Sequence, residues 1–220
     1  VPGRLPSPPG RCRTHQGLFD LSYLRTAPDL VVASPRDENE LQHLLYTALR
    51  CGQPVAIRYP RGSGVGVARD ESFQEKPIGK GERLRPGDDA TIVALGSTVY
   101  PALEAAALLA EAGIQCQVID ARYLKPLDET LIGEAAEATG RVVTVEENVV
   151  QGGAGSAVNE TLAAHGAIQR VINYGLPDRL IAHGSRQDML DEAKLNREGI
   201  LAFIQRYSVK TGKEKNKQRV

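Results

Sequence analysis

The sequence predicts an α/β fold: an incomplete unit at the front, then a complete domain with a mostly parallel sheet. Three observations carry this. From about residue 90 onward, short β-branched runs alternate with helical stretches of ten or so residues, which requires crossover connections and a sheet covered on both faces. Before residue 60 there are only two apolar strand-like runs and one helix. Between the two parts lies a stretch rich in glycine, proline and charge.

In chain order, residues 1–13 hold four prolines, two glycines and three arginines without an acid, and read as an unstructured lead-in. Folded pattern begins at Leu18. Residues 30–33 form a short strand; Ser34 then offers an N-cap oxygen, Pro35 suits the first helical position, and Asp37 and Glu38 face the positive helix end. Leu41, Leu44, Leu45, Ala48 and Leu49 mark the apolar side of that helix, and Gly52 stands where a left-handed C-terminal residue is wanted. Residues 55–59 supply the next strand.

From residue 61 to 89, Pro77, Gly79, Gly81, Pro86 and Gly87 interrupt any regular element, and the stretch reads as a connection between domains. Strands then follow at 91–95, 117–121, 142–145 and 170–173, with helices at 101–112, 128–139 and about 155–165, and two closing helices around 188–194 and 197–206. Gly113 and Gly140 end the first two of these helices. Residues 209–220 carry five basic side chains against Glu214 and read as a solvated tail.

Composition limits the partners. The 27 Lys and Arg balance 27 Asp and Glu, which argues against binding to nucleic acid or an anionic membrane. Cys12, Cys51 and Cys116 are far apart, as expected of reduced thiols in a cytosol-like compartment. No apolar run approaches the roughly 20 residues that span a bilayer, and no signal peptide is evident. The expectation is a cytoplasmic protein, with a plastid stroma as the alternative.

Four stretches could carry chemistry. His15 stands in a polar loop, Thr14-His15-Gln16-Gly17, where a histidine is ordinarily a surface or hydrogen-bonded residue. Arg58 and Arg61, in Ile57-Arg58-Tyr59-Pro60-Arg61-Gly62, leave the carboxyl end of a strand, where ligands collect in parallel sheets and a guanidinium can grip a phosphate. Arg61 is the better candidate; the plainer reading is an Arg that packs its stem on the sheet and pairs with an acid. Gly152-Gly153-Ala154-Gly155-Ser156 follows the strand ending in Glu146-Glu147-Asn148, but Val158 occupies the place of the third glycine and the ribose-binding acid is lacking, so a tight turn with a capped helix is preferred to a dinucleotide site. Ser185 and Asp188 read as a capping box with His183 structural beside it, and Asp128, after Lys125-Pro126-Leu127, starts a helix.

Thr14-His15-Gln16-Gly17 with Phe19-Asp20-Leu21-Ser22-Tyr23-Leu24-Arg25, Arg58-Tyr59-Pro60-Arg61-Gly62, and Val143-Thr144-Val145-Glu146-Glu147-Asn148 with its glycines together resemble the 1-deoxy-D-xylulose-5-phosphate synthases of the transketolase family. The likeness runs from Thr14 to about Arg206. It implies a partial thiamine-pyrimidine-binding domain at 14–66, a linker at 67–89, a transketolase carboxyl-terminal domain at 90–207 and a basic tail at 208–220.

The resemblance also implies a homodimer, with the glycine-rich turn near the dimer contact. It implies a reaction that joins pyruvate to glyceraldehyde 3-phosphate with loss of CO2, using thiamine diphosphate and Mg²⁺. His15 would serve hydrogen bonding or proton transfer at the reacting carbonyl, and Arg61 the phosphate of the aldehyde. These 220 residues lack the family's Gly-Asp-Gly motif with its later Asn, and the stretch bearing the glutamate that protonates the aminopyrimidine. Arg11-Cys12-Arg13 stands where the family has Asp-Gly-Pro. The chain is therefore expected to be an inactive carboxyl-terminal fragment from a truncated or frame-shifted gene; a noncatalytic dimerisation module and a subunit of a split thiamine enzyme are the alternatives.

Overall fold

The computed structural model describes residues 17–166, 170–179 and 186–215. In chain order the elements are α1 (Asp20–Leu24), β1 (Val31–Ala33), α2 (Glu38–Arg50), β2 (Val55–Ile57), β3 (Glu82–Arg85) and β4 (Ala90–Ala94). A 3-10 turn (Gly96–Thr98) leads into α3 (Val99–Glu111), followed by β5 (Cys116–Asp120), β6 (Tyr123–Lys125), α4 (Glu129–Thr139), β7 (Arg141–Val149) and α5 (Ala154–Ala164). The chain closes with β8 (Arg170–Leu176), α6 (Arg186–Glu192) and α7 (Arg197–Lys215).

The larger sheet has the order β3-β5-β4-β7-β8, parallel throughout except for β3 at its edge. Because successive side chains on a strand point to opposite faces, the apolar runs split into two layers. Ile92, Ala94, Val118, Val143 and Val145 pack with α3 and α7 through Ala102, Ala106, Leu109, Ile200 and Ile204. Val93, Leu95 and Val142 pack with α4 and α5 through Ile132, Ala136, Val158 and Leu162. Each of the Val, Leu and Ile side chains, once buried, contributes about 1.5–3 kcal/mol. Local signals place the helix ends as the sequence predicts: the Asp128 carboxylate accepts from Leu131 N at 3.1 Å, and Gly140 is left-handed at φ 64°.

A second sheet, β2-β1-β6, joins the two parts of the chain. β1 runs parallel to β2, with Val31 opposite Val55, and antiparallel to β6, with Ala33 opposite Tyr123. The front unit, read from sequence as two strands and one helix, thus gains a third strand from beyond the connection. Three residues between β5 and the next helix are too few to read as a strand, and their partner lies some 90 positions earlier in the chain. Arg122, at φ 55°, turns the chain from one sheet to the other.

A buried ion cluster stands over this junction. Arg122 Nε donates to Glu40 at 2.7 Å and its Nη2 to Glu82 at 2.7 Å, while Arg36 Nη1 donates to Asp120 at 2.9 Å and Glu82 at 2.8 Å. Asp120 is fully enclosed, and burial, the largest influence, pushes its carboxyl up to about 8.

Four further expectations change. The N-cap of α2 is Asp37, whose side chain accepts from Glu40 N at 2.7 Å; the Ser34 hydroxyl instead donates to Arg58 O. The buried side of α2 is Glu40, His43, Leu44 and Thr47, leaving Leu45 and Leu49 exposed. The reason is tertiary: the segment after β2 lies along the helix, where Gln74 N donates to His43 Nδ1 at 3.1 Å and Lys76 N to Thr47 Oγ1 at 2.8 Å. The stretch read as connection contains β3, which pairs with β5. Finally, the tail is helical in backbone as far as Lys215.

Candidate substrate-binding site

The carboxyl ends of β2, β4 and β7 meet, as open parallel sheets commonly arrange at their ligand sites. Beyond β2, Arg58 N donates to Ala33 O at 2.8 Å, so the chain is held to β1 as it leaves the strand. The Arg58 side chain crosses to β7, donating to Glu147 O at 3.1 Å with Nη1 3.6 Å from the Glu147 carboxylate. Arg186 Nη2 donates to the same carboxylate at 2.6 Å, and the Ser97 hydroxyl after β4 donates to it too. Burial would raise the Glu147 carboxyl, but Arg58 and Arg186 with these hydrogen bonds hold it below the usual carboxylate range.

Arg61 lies three residues further on, exposed, and among the described residues its guanidinium has neither a hydrogen bond nor an ion pair. The two arginines of the Arg-x-x-Arg stretch therefore divide the two readings between them. Arg58 packs and pairs with an acid, while Arg61, beyond the end of β2, is exposed and without a partner among the described residues.

His15 lies outside the described residues, as do Cys12, His183 and Ser185. The chain just after His15 docks on the same strand end that Arg58 reaches. Val149 N donates to Leu18 O at 2.9 Å, and Asn148 Oδ1 accepts from Leu21 N at 3.1 Å while its Nδ2 donates to Ser22 Oγ at 2.8 Å. Arg25 donates to Gly152 O at 3.3 Å and pairs with Glu160 on α5.

The glycine-rich turn holds an anion of its own. Ala154 N and Gly155 N, at the start of α5, donate to the two oxygens of Glu146 at 2.7 and 2.8 Å. A Cβ at Gly153 would stand 2.0 Å from that carboxylate. The amides that would meet a pyrophosphate are thus taken, which agrees with the preference for a tight turn. Burial pushes the Glu146 carboxyl up to about 7, against the opposing pull of the Gly155 and Ala154 amides.

Sequence reading did not single out Glu147, Ser97, Arg186 or Asn148. The usable signal was Glu146-Glu147-Asn148 itself: three polar side chains on a strand end must face alternate sides and find partners there. Among the described residues no group of three or more His, Cys, Asp or Glu could hold a metal ion. No helix among them is long and apolar enough to cross a membrane.

The comparisons agree with this architecture. The family description of the transketolase carboxyl-terminal domain matches residues 79–200, and that of the transketolase pyrimidine-binding domain matches residues 4–65. The chain is 50% identical over 195 residues to a protein of Geobacter metallireducens named 1-deoxy-D-xylulose-5-phosphate synthase 1, covering 88% of this chain and 31% of the relative. It is 54% identical over 172 residues to the 1-deoxy-D-xylulose-5-phosphate synthase of Heliobacterium modesticaldum, covering 78% of this chain and 27% of the relative. It thus spans about a third of the length of the curated relatives it matches.

Among solved structures, one described as a split-gene transketolase, inactive β4 tetramer, superposes with a TM-score of 0.81 at 36% identity, over 88% of this chain and 63% of that one. The transketolase of Campylobacter jejuni superposes at 0.64 and 22% identity, over 87% of this chain and 28% of that one, a likeness of fold. With the carboxyl-terminal description covering more than half of its residues, the chain belongs to the transketolase family.

Proposed function

We propose that this chain is the carboxyl-terminal part of a 1-deoxy-D-xylulose-5-phosphate synthase, the enzyme that condenses pyruvate with glyceraldehyde 3-phosphate and releases CO2. The observation that carries the proposal is identity near 50% to proteins of that name along almost the whole chain. In this reading Arg61 binds the phosphate of glyceraldehyde 3-phosphate through charge-assisted hydrogen bonds. Its exposure just beyond β2, with no partner among the described residues, supports that role. His15 serves the reacting carbonyl; the docking of Leu18, Leu21 and Ser22 on β7, near the Glu147 that Arg58 grips, supports a shared cleft.

Thiamine diphosphate, when bound to the whole enzyme, supplies the electron sink for decarboxylation. The 220 residues contain no Gly-Asp-Gly motif, so the diphosphate and Mg²⁺ are held elsewhere in the complete protein, and the chain by itself is inactive. The domain division at residues 14–66, 67–89 and 90–207, with β3 of the middle stretch added to the sheet of the last, and a homodimeric assembly belong to the same proposal. Calorimetric titration of the chain with thiamine diphosphate and Mg²⁺, together with a pyruvate-consumption assay, tests it. No tight site and no turnover are expected; a tight one-to-one site or turnover by the chain alone would overturn it.

A second reading, a subunit of a split enzyme, is favoured by the split-gene transketolase neighbour. It expects activity on mixing with a polypeptide that carries the missing motifs, where the fragment reading expects none.

A further inference from the structure

The loop that carries Arg61 closes around a carboxylate supplied by α2. Val65 N donates to Glu38 Oε2 at 3.0 Å and Gly66 N to Glu38 Oε1 at 2.6 Å. Successive amides converging on one anion form a nest, a device that elsewhere holds phosphate. Here the occupant is the protein's own side chain. Gly64 makes the closure possible, because a Cβ at that position would stand 2.7 Å from the carboxyl carbon of Glu38.

Glu38 is itself held in place, in the first turn of α2 behind the Asp37 cap. The acids beside it face other partners: Asp37 accepts from the Tyr100 hydroxyl at 2.8 Å, and Glu40 from Arg122 at 2.7 Å. The groups that act on the Glu38 carboxyl are amides, its own first and then those of Gly66, Val65 and Val67, and they hold it below the usual carboxylate range.

Arg61 and the nest are four residues apart, joined through Gly62, Ser63 and Gly64. Two glycines in three residues leave that run few conformational restraints of its own. An anchor just beyond it limits where the guanidinium can go, and so lowers the entropy lost when Arg61 meets a phosphate.

We infer that Glu38 is a positioning residue for Arg61: its carboxylate folds the 62–66 loop and so limits where the guanidinium beyond β2 can stand. The inference rests on the phosphate role proposed for Arg61. Glu38 touches no substrate in this scheme and acts only through the loop.

The test is NMR on the full 220-residue chain, comparing wild type with Glu38→Gln and Gly64→Ala, with and without inorganic phosphate. In wild type the Val65 and Gly66 amide shifts should titrate together at a midpoint below the ordinary glutamate range, and phosphate should move the Arg61 Nε–H signal. Glu38→Gln should abolish that titration, speed exchange at residues 64–66 about tenfold, and weaken the phosphate response about tenfold, with β4 and β7 amides unchanged. Gly64→Ala, which presses on the same carboxylate from the loop side, should weaken the phosphate response in the same direction. Unchanged exchange at Val65 and Gly66 in Glu38→Gln, or an unchanged phosphate response in that variant, would overturn the positioning role. A wild-type Arg61 signal indifferent to phosphate would overturn the reading of Arg61 instead, and the two failures are read from different nuclei.

Discussion

Arg58 donates to the main-chain oxygen of Glu147 at 3.1 Å, with its guanidinium also facing the Glu147 carboxylate at 3.6 Å, so one side chain ties the end of β2 to the end of β7. The two side chains are 9% and 13% exposed, which sets the cost of separating them. A charge that loses its partner where water cannot replace it is strongly destabilising.

Arg58→Ala should therefore destabilise the chain by about 2–3 kcal/mol, a figure kept below that for a fully buried pair because Arg186 still serves Glu147. Arg61→Ala, on an exposed side chain without a partner among the described residues, should stay within about 0.5 kcal/mol of wild type. Urea unfolding of both variants checks the contrast. Equal losses would mean that the two arginines do not divide the roles of brace and ligand.

The sheet shared by the two parts of the chain gives a second expectation. Tyr123 on β6 is 1% exposed, pairs opposite Ala33, and packs with Val31 and Leu44. Tyr123→Ala should cost about 3–4 kcal/mol. It should also speed hydrogen exchange in β1 and β2 more than in β4 and β7. Uniform acceleration across both sheets would show that β6 does not bear specially on the front unit.

Glu146 makes stability depend on pH. Its folded carboxyl lies at about 7, above the 4.5 of the unfolded chain, so the folded state holds more protons between those values. Stability from this group is fully present below the unfolded value and declines as pH rises through the folded one, by up to about 3 kcal/mol. Urea midpoints between pH 5 and pH 8 should fall more steeply for wild type than for Glu146→Gln. The variant loses one amide acceptor and should be weaker at low pH; parallel slopes would contradict the assignment.

The cysteines should differ in reactivity. Cys116 on β5 is fully buried, and burial pushes its thiol up to about 11, whereas Cys51 at the end of α2 is half-buried. The thiolate is the reactive form, so alkylation in native buffer should label Cys51 before Cys116, which it should reach only on unfolding. Peptide mass spectrometry reads both sites, and early labelling of Cys116 would mean that β5 opens readily.

The four parallel strands of the larger sheet were legible in the sequence, because their short continuous apolar runs and the caps at Asp128 and Gly140 are local signals that agree with the tertiary result, whereas β3 at its edge, read as connection, was not. Arg61 could be named a candidate from sequence, since a basic residue leaving a strand end can be read without coordinates. Tertiary structure alone decided the pairing of β6 with β1, the burial of Glu40, His43 and Thr47 in place of Leu45 and Leu49, and the convergence of Ser97, Glu147 and Arg186. Each of these depends on a partner distant in the chain. A side chain's preference for water or core is intrinsic, but whether a polar one finds donors and acceptors when buried is settled only when the segments meet.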